Sequence, residues 1–168
     1  MELTDPWVLA LLGVVLFAVV QYQRTLTWTE YRTLHALKRG LFPLIDKRTG
    51  LFVVSRKGGR DDPEFITTVD MPVQEVFSKL NAGEFDAHLL NSVKKRQHPT
   101  RAGFQYSKAH LFKFHEDETQ TEIYLFDVDG KTDIYAHVET WVLSPKDHLV
   151  NTNQQDGDTK NVLPEWIN

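Results

Sequence analysis

The strongest feature of the hydropathy pattern is an apolar run near the start of the chain, Pro6 to Val20, which carries no charged side chain. A helix continued to Tyr22 would have 17 residues, which can cross a hydrocarbon core of about 30 Å if the bilayer thins slightly. We therefore expect an uncleaved membrane anchor over residues 1–24. A cleaved signal peptide and a buried or partner-binding helix of a soluble protein remain alternatives.

A second helix is predicted directly after this run, over residues 25–40. Thr27 and Glu30 have the spacing of a capping box, which marks a helix start, and Gly40 is a typical stop signal. Apolar residues recur at three-residue steps and would form a stripe that either lies on the membrane surface or packs on the following domain. The residues of this stripe are Trp28, Tyr31, Leu34 and Leu37.

Basic residues follow the apolar run but do not precede it. The positive-inside rule therefore predicts that the N-terminus lies outside and that the rest of the chain is cytoplasmic. The same side chains are expected to face the lipid headgroups. They are Arg24, Arg32, Lys38 and Arg39.

Residues 41–149 are expected to form one cytosolic α+β domain, with a mainly antiparallel sheet of about five strands and two helices on one face. Short strands are predicted at Leu51–Val54 and Glu64–Asp70. Helices are predicted after Pro72 and over Phe85–Arg96, the latter ending in a basic triplet. The first helix shows the clearest helical spacing in the chain, at Val73, Val76, Phe77 and Leu80.

The strand, the Pro-containing turn and the helix in Glu64 to Leu80 resemble the opening of START-like ligand-binding domains. The resemblance covers about 17 residues. It implies a ligand-binding domain. Beyond it the sequence departs from that family, because only three clear strands follow and no long C-terminal helix can be drawn.

Three strands are predicted at Phe104–His115, Thr121–Val128 and Lys131–Leu143. Asp129-Gly130 is a two-residue turn signal that favours a type I′ hairpin between the last two strands. Such a hairpin pairs residues whose numbers sum to 259, so Glu122 should face His137. The other predicted pairs are Tyr124 with Tyr135, Ile123 with Ala136, and Leu125 with Ile134.

This register divides the hairpin into an aliphatic face, suited to packing against helices, and an aromatic face. The aromatic face is a candidate surface for an apolar ligand or a protein partner, since such sites combine aromatic walls with a few polar groups. The alternative is that aromatic pairs only stabilise the sheet. The candidate binding residues are Tyr124, Phe126, Tyr135 and Trp141.

Glu122, His137 and Glu139 share the aromatic face and are the candidates for general acid–base chemistry. The same three side chains resemble part of a metal site, but the sequence contains no recognised metal motif. The absence of cysteine excludes disulfides and thiolate chemistry. We expect no cofactor and no resident metal.

Residues 150–168 are predicted to form a polar, flexible tail. Its last residues form an apolar segment that either docks on the domain or serves as a peptide motif. We expect a non-enzymatic binding module that contacts membrane lipid and a protein partner or apolar ligand, with no role for nucleic acid. The alternatives are a small acid–base enzyme and a viral or accessory structural protein.

Overall fold

The computed structural model describes residues 5–49, 53–55, 62–89, 91, 93–98, 103–117, 119–140 and 163–167. Within these residues the protein combines three helices with two sheets. The larger sheet is antiparallel, so the predicted mixture of helix and antiparallel sheet is confirmed.

The apolar run forms helix α1, Pro6–Arg24. The helix begins where the side chain of Asp5 accepts a hydrogen bond from the backbone N–H of Trp7 at 3.1 Å, which satisfies one of the free N–H groups of the first turn. The helix is long and apolar enough to cross a membrane, and only 7% of its apolar segment is buried. A core helix of a soluble protein would be mostly covered, so the alternative of a buried helix loses support. A signal peptide and a partner-binding helix remain alternatives.

Helix α2 spans Trp28–Thr49 and is longer than predicted. Its capping box is confirmed, because the Glu30 carboxylate accepts the Thr27 backbone N–H at 2.9 Å and the Thr27 hydroxyl accepts that of Glu30 at 3.4 Å. The predicted end at Gly40 is wrong. Gly40 does not adopt the left-handed conformation of a helix C-cap, and a glycine within a helix costs only about 1 kcal/mol, which packing readily offsets.

The first half of α2 packs on the domain. Tyr31 is fully buried, and Trp28 and Leu34 lie against the core, whereas Leu37 is 60% exposed. Of the two possibilities for the predicted stripe, packing on the domain is therefore correct for its first three residues.

Strand β2, Phe65–Val69, and helix α3, Val73–Ala82, confirm the predicted strand and first helix. The four apolar residues predicted to form the inner face of α3 are buried. The helix predicted over Phe85–Arg96 is wrong, because this stretch contains strands β3, Asp86–Ala87, and β4, Val93–Gln97. Pairing of β3 and β4 with distant strands overrides the local four-residue apolar spacing.

The hairpin of β7, Thr119–Val128, and β8, Lys131–Thr140, has the predicted register at all four named pairs. Asp129 has φ 52° and Gly130 has φ 85°, and positive φ at both central residues defines the expected type I′ turn. The strand predicted before this hairpin is interrupted and forms β5, Phe104–Tyr106, and β6, Ala109–Phe114.

Strands β2, β8, β7, β6 and β3 lie side by side in that order in the larger sheet. Its aliphatic face packs against α3 as predicted, burying Ile123, Leu125, Ile134 and Ala136 in the main core. Leu163 and Ile167 join this core, so the C-terminal apolar segment docks on the domain.

The second sheet contains β1, Val53–Ser55, which runs parallel to β4, and β5, which runs antiparallel to it. This sheet lies over the aromatic face. The Arg96 guanidinium sits 4.6 Å from the ring centroid of Phe126 and 5.1 Å from that of Tyr135. The aromatic face is therefore an interior layer.

Candidate functional site

The candidate acid–base residues converge because of the hairpin register. Glu122 and His137 are direct cross-strand partners, and Glu139 lies two residues further along the same face of β8. His137 Nε2 lies 3.7 Å from Glu122 Oε2 and 3.4 Å from Glu139 Oε2. Glu122 and His137 are buried, and Glu139 is partly exposed.

Glu64 completes the surroundings of His137 and was not predicted as a site residue. Its Oε1 lies 3.0 Å from His137 Nδ1, and its backbone carbonyl accepts the Ala136 N–H at 2.9 Å. The residue stands directly before β2, which pairs with β8 with a register irregularity. Nothing in the sequence around Glu64 indicates that its carboxylate would contact a histidine on another strand.

Glu122 is the hub of a buried hydrogen-bond network. Its Oε2 accepts Asn91 Nδ2 at 2.7 Å and also the Tyr124 hydroxyl. Its Oε1 accepts Gln120 Nε2 at 3.2 Å and lies 3.4 Å from His88 Nε2. Both carboxylate oxygens therefore have partners within the protein.

These surroundings favour the ionised forms of both central residues. Burial alone would lower the pKa of His137, but contacts with Glu139 and Glu64, together with the Glu122 charge, raise it to about 9. Burial would likewise raise the pKa of Glu122, but His88, His137 and Lys94 hold it well below its usual range. At neutral pH the pair is an imidazolium facing a carboxylate.

One ligand atom each from Glu122, His137 and Glu139 lie within 4.8 Å of one another, which is the spacing of a possible cation site. A cation there would have to displace donors from Glu122 and the proton from His137 Nε2. The imidazolium and the donors around Glu122 already satisfy this cluster as a hydrogen-bond network.

The predicted aromatic binding residues Tyr124, Phe126 and Tyr135 are all buried, and Trp141 lies outside the described residues. The cavity at this face has a volume of about 10 Å³. That is room for about one water molecule and far below the size of a ligand pocket. This face is therefore not an open binding surface.

The four predicted lipid-facing basic residues have different environments. Arg32 is exposed and Arg39 is half-buried. Arg24 forms an ion pair with Asp86, with Nε 3.1 Å from Oδ2. Lys38 contradicts the prediction, because it is only 6% exposed and its Nζ donates to the Asn91 carbonyl at 3.1 Å.

Lys38 belongs to a second buried polar group under α2. Burial lowers its pKa to about 7. Nearby, the His35 ring stacks on Tyr31 and meets the His110 ring edge-on, with centroids 5.3 and 5.1 Å apart. Burial also lowers the pKa of His35 to about 2, so this ring is neutral.

Ser107 Oγ contacts His110 Nε2, a pairing that sequence reasoning missed because the two residues flank the break between β5 and β6. Serine beside histidine is also found in nucleophilic enzymes. Here both side chains are fully buried, and burial holds the pKa of His110 well below its usual value. The contact therefore links β5 to β6 within the core.

The junction between α1 and the domain is tightly bonded. Gln23 is buried, and its Oε1 accepts the backbone N–H of Leu89 at 2.6 Å. Leu26, two residues after the end of α1, is buried in the main core, and its carbonyl accepts Asn81 Nδ2 at 3.3 Å. Only residues 25–27 separate α1 from α2.

An open groove lies between the end of α3, β6 and the docked C-terminal segment. Its volume is about 420 Å³. Trp166 is 38% exposed in its wall, and the Lys79 ammonium lies 5.4 Å from the Trp166 ring centroid. Lys113 and Glu84 form an ion pair at the same edge.

Comparison with protein-family models, curated proteins and solved structures finds no match to this chain. The local resemblance of Glu64 to Leu80 to START-like domains therefore stays local, and function has to be argued from geometry.

Proposed function

We propose that this chain is a single-pass membrane protein whose cytoplasmic domain is a non-enzymatic interaction module held at the membrane surface. The observation that carries the proposal is the bonded junction. Gln23 and Arg24, at the end of α1, contact Leu89 and Asp86 of the domain. Because these hydrogen bonds hold α1 against the domain, insertion of α1 would also fix the orientation of the domain relative to the bilayer. A flexible linker would leave that orientation free.

The interior of the domain supports a binding role over catalysis. Glu122 and His137 are buried and are surrounded by protein partners. The cavity at the aromatic face holds no more than about one water molecule. An enzyme has to admit its substrate to the reacting groups, so the accessible functional surfaces lie outside this cluster.

The groove beside Trp166 is the best-supported partner site. Tryptophan is enriched among the residues that dominate binding energy at protein interfaces, where its ring is covered by the partner. Here the ring is partly exposed, with a lysine over it and further charges around it. An apolar centre with a charged rim is the usual anatomy of a protein–protein interface.

The test compares photo-crosslinking of the full-length protein in its native membranes with that of two variants. Trp166→Ala removes the exposed ring, whereas His137→Gln alters the buried cluster. We expect discrete crosslinked species from a probe at Glu84, which lines the groove. These species should weaken at least tenfold in Trp166→Ala and persist in a folded His137→Gln variant. Adducts that are indifferent to Trp166 would contradict the groove as the partner site.

A small acid–base enzyme is the second candidate, and it is favoured by one observation. His137 contacts Glu64, and its other nitrogen faces Glu122 and the partly exposed Glu139. A histidine held by carboxylates in this way can transfer protons if the site opens. Loss of cellular function in both His137→Gln and Glu139→Gln, with the fold and crosslinks unchanged, would favour the enzyme over the interaction module.

A further inference from the structure

The second half of α2 carries an exposed apolar stripe. Leu37, Leu41, Leu44 and Ile45 are 60%, 47%, 62% and 43% exposed. Their spacing of four, three and one residues places them within about 100° of one another around the helix, since each residue turns it by about 100°. The stripe therefore continues past Gly40, along the part of α2 that lies beyond the predicted end of the helix.

This stripe is unusual among the described residues. Outside α1, the other large apolar side chains that are more than a third exposed in the described residues are Phe104 and Trp166. Each of these two lies on a different part of the chain from the stripe. Single exposed apolar residues need no explanation, but a contiguous group marks a surface that contacts something apolar.

Two features of α2 indicate that the stripe contacts lipid. Apart from the buried Lys38, the helix contains four basic residues and two acidic ones, although the whole chain has a net charge of -4. Basic helices with an apolar face suit the anionic headgroup region of a cytoplasmic leaflet. A soluble partner would not require this concentration of positive charge on one helix.

The second feature is distance. Residues 25–27 alone separate α1 from α2, so the start of α2 lies within roughly 14 Å of the end of α1, at 3.3–3.6 Å per residue of chain. Leu37 follows Trp28 by nine residues, about 14 Å along the helix axis. Leu37 therefore lies at most about 28 Å from the end of α1, and the rest of the stripe also reaches the bilayer if α2 runs along its surface.

We propose that the stripe of Leu37, Leu41, Leu44 and Ile45 lies in the interfacial region of an anionic membrane. This gives the domain a second lipid contact besides α1, and the proposal rests on α1 being inserted. The two contacts together would restrict both the depth and the tilt of the domain. Arg32 and Arg39 lie on the opposite side of α2 from the stripe, and Lys38 points into the domain. The four apolar side chains would therefore make the contact with the membrane.

The chain has no cysteine, so single cysteines can be labelled cleanly with the environment-sensitive fluorophore NBD. Leu41→Cys reports on the stripe, and Ala36→Cys is the matched control, being exposed on a different side of α2. Val14→Cys reports on α1. Each labelled full-length protein is reconstituted into vesicles of phosphatidylcholine with phosphatidylglycerol, then treated with aqueous iodide or with a spin-labelled lipid that quenches at the interface.

The proposal predicts that the label at position 41 is quenched at least threefold more by the lipid quencher than the label at position 36, and that iodide shows the opposite order. Labels at 41 and 36 that behave alike, with the label at 14 protected from iodide, would overturn the second contact and leave the anchor intact. A label at 41 shielded from both quenchers would show that protein covers the stripe, which also overturns it. Iodide quenching at position 14 would instead show that the anchor, and with it the proposed function, fails.

Discussion

Gln23 and Leu89 join the apolar helix to the folded domain: the Gln23 side-chain oxygen accepts the Leu89 backbone N–H at 2.6 Å, and the glutamine is 2% exposed. Leu89 follows β3, 66 residues along the chain from Gln23. This partly buried bond between α1 and a loop of the domain joins the two into a single mechanical unit.

The first prediction concerns this bond. Gln23→Ala leaves the partly buried Leu89 N–H without its partner. It should destabilise the domain by about 1 kcal/mol, the lower end of the cost of an unsatisfied donor, because the donor is only partly buried. Hydrogen exchange of the Leu89 amide, measured by mass spectrometry in nanodiscs, should accelerate. Gln21→Ala is the control, since Gln21 is exposed on the same helix. Equal exchange in the two variants would show that the junction is not held by this bond.

The second prediction concerns the buried hub. Glu122→Gln removes the carboxylate that faces His137 and accepts Asn91 and Tyr124. Breaking a buried charge pair from one side costs about 3–5 kcal/mol. Denaturant unfolding should show a loss of this order, whereas the exposed Glu116→Gln should change stability by less than about 0.5 kcal/mol. Similar losses in both variants would contradict a central role for Glu122.

The third prediction is a pH dependence that belongs to His137. Its pKa is raised to about 9 in the folded protein, against an ordinary 6.5. A group whose pKa rises on folding stabilises fully below its unfolded pKa and loses that contribution as pH rises through the folded pKa. The contribution, roughly 3 kcal/mol, should therefore be present near pH 6 and be lost by about pH 10.

The measurement compares the native protein with His137→Gln at both pH values. The destabilisation caused by the substitution should be larger near pH 6 than near pH 10. Burial lowers the pKa of Lys38 to about 7, and this works in the opposite direction over the alkaline range. Both proteins contain Lys38, so its effect cancels in the difference. A destabilisation that is independent of pH would contradict the charged state assigned to His137.

The fourth prediction concerns the layer over the aromatic face. Arg96 Nη2 lies 2.9 Å from Asp133 Oδ2, and both side chains are buried. Arg96→Met should cost about 3–5 kcal/mol because it leaves the Asp133 charge without its cation. The double variant Arg96→Met with Asp133→Leu should recover most of that loss. Lys95→Met is the control, because Lys95 is less buried on the same strand. No recovery in the double variant would mean that Arg96 acts mainly through its packing on Phe126 and Tyr135.

Local signals predicted the parts of the fold that depend on neighbours in sequence. The Asp129-Gly130 turn set the hairpin register, and with it the convergence of Glu122 and His137. The capping box placed the start of α2 correctly. In the capping box, the contacts join residues three positions apart. In the hairpin, the strand register follows directly from the position of the two-residue turn.

The parts that failed depend on distant partners. Lys38 was expected at the lipid surface, but its acceptor is the carbonyl of Asn91, 53 residues away. Arg96 was placed at a helix end, but it is buried by pairing with Asp133, 37 residues away. With β4 taken for a helix, nothing in the sequence indicated a second sheet over the aromatic face, which therefore looked open.

The most direct test of the central claim, that α1 is a membrane anchor, is the accessibility of Val14→Cys to a membrane-impermeant maleimide in sealed vesicles. Val14 is 65% exposed when only the protein is considered, so protection has to come from the lipid. The account predicts that Val14→Cys stays unlabelled until detergent is added, while Ala36→Cys is labelled from the side on which the domain lies. Labelling of Val14→Cys at the rate of Ala36→Cys before detergent would contradict it.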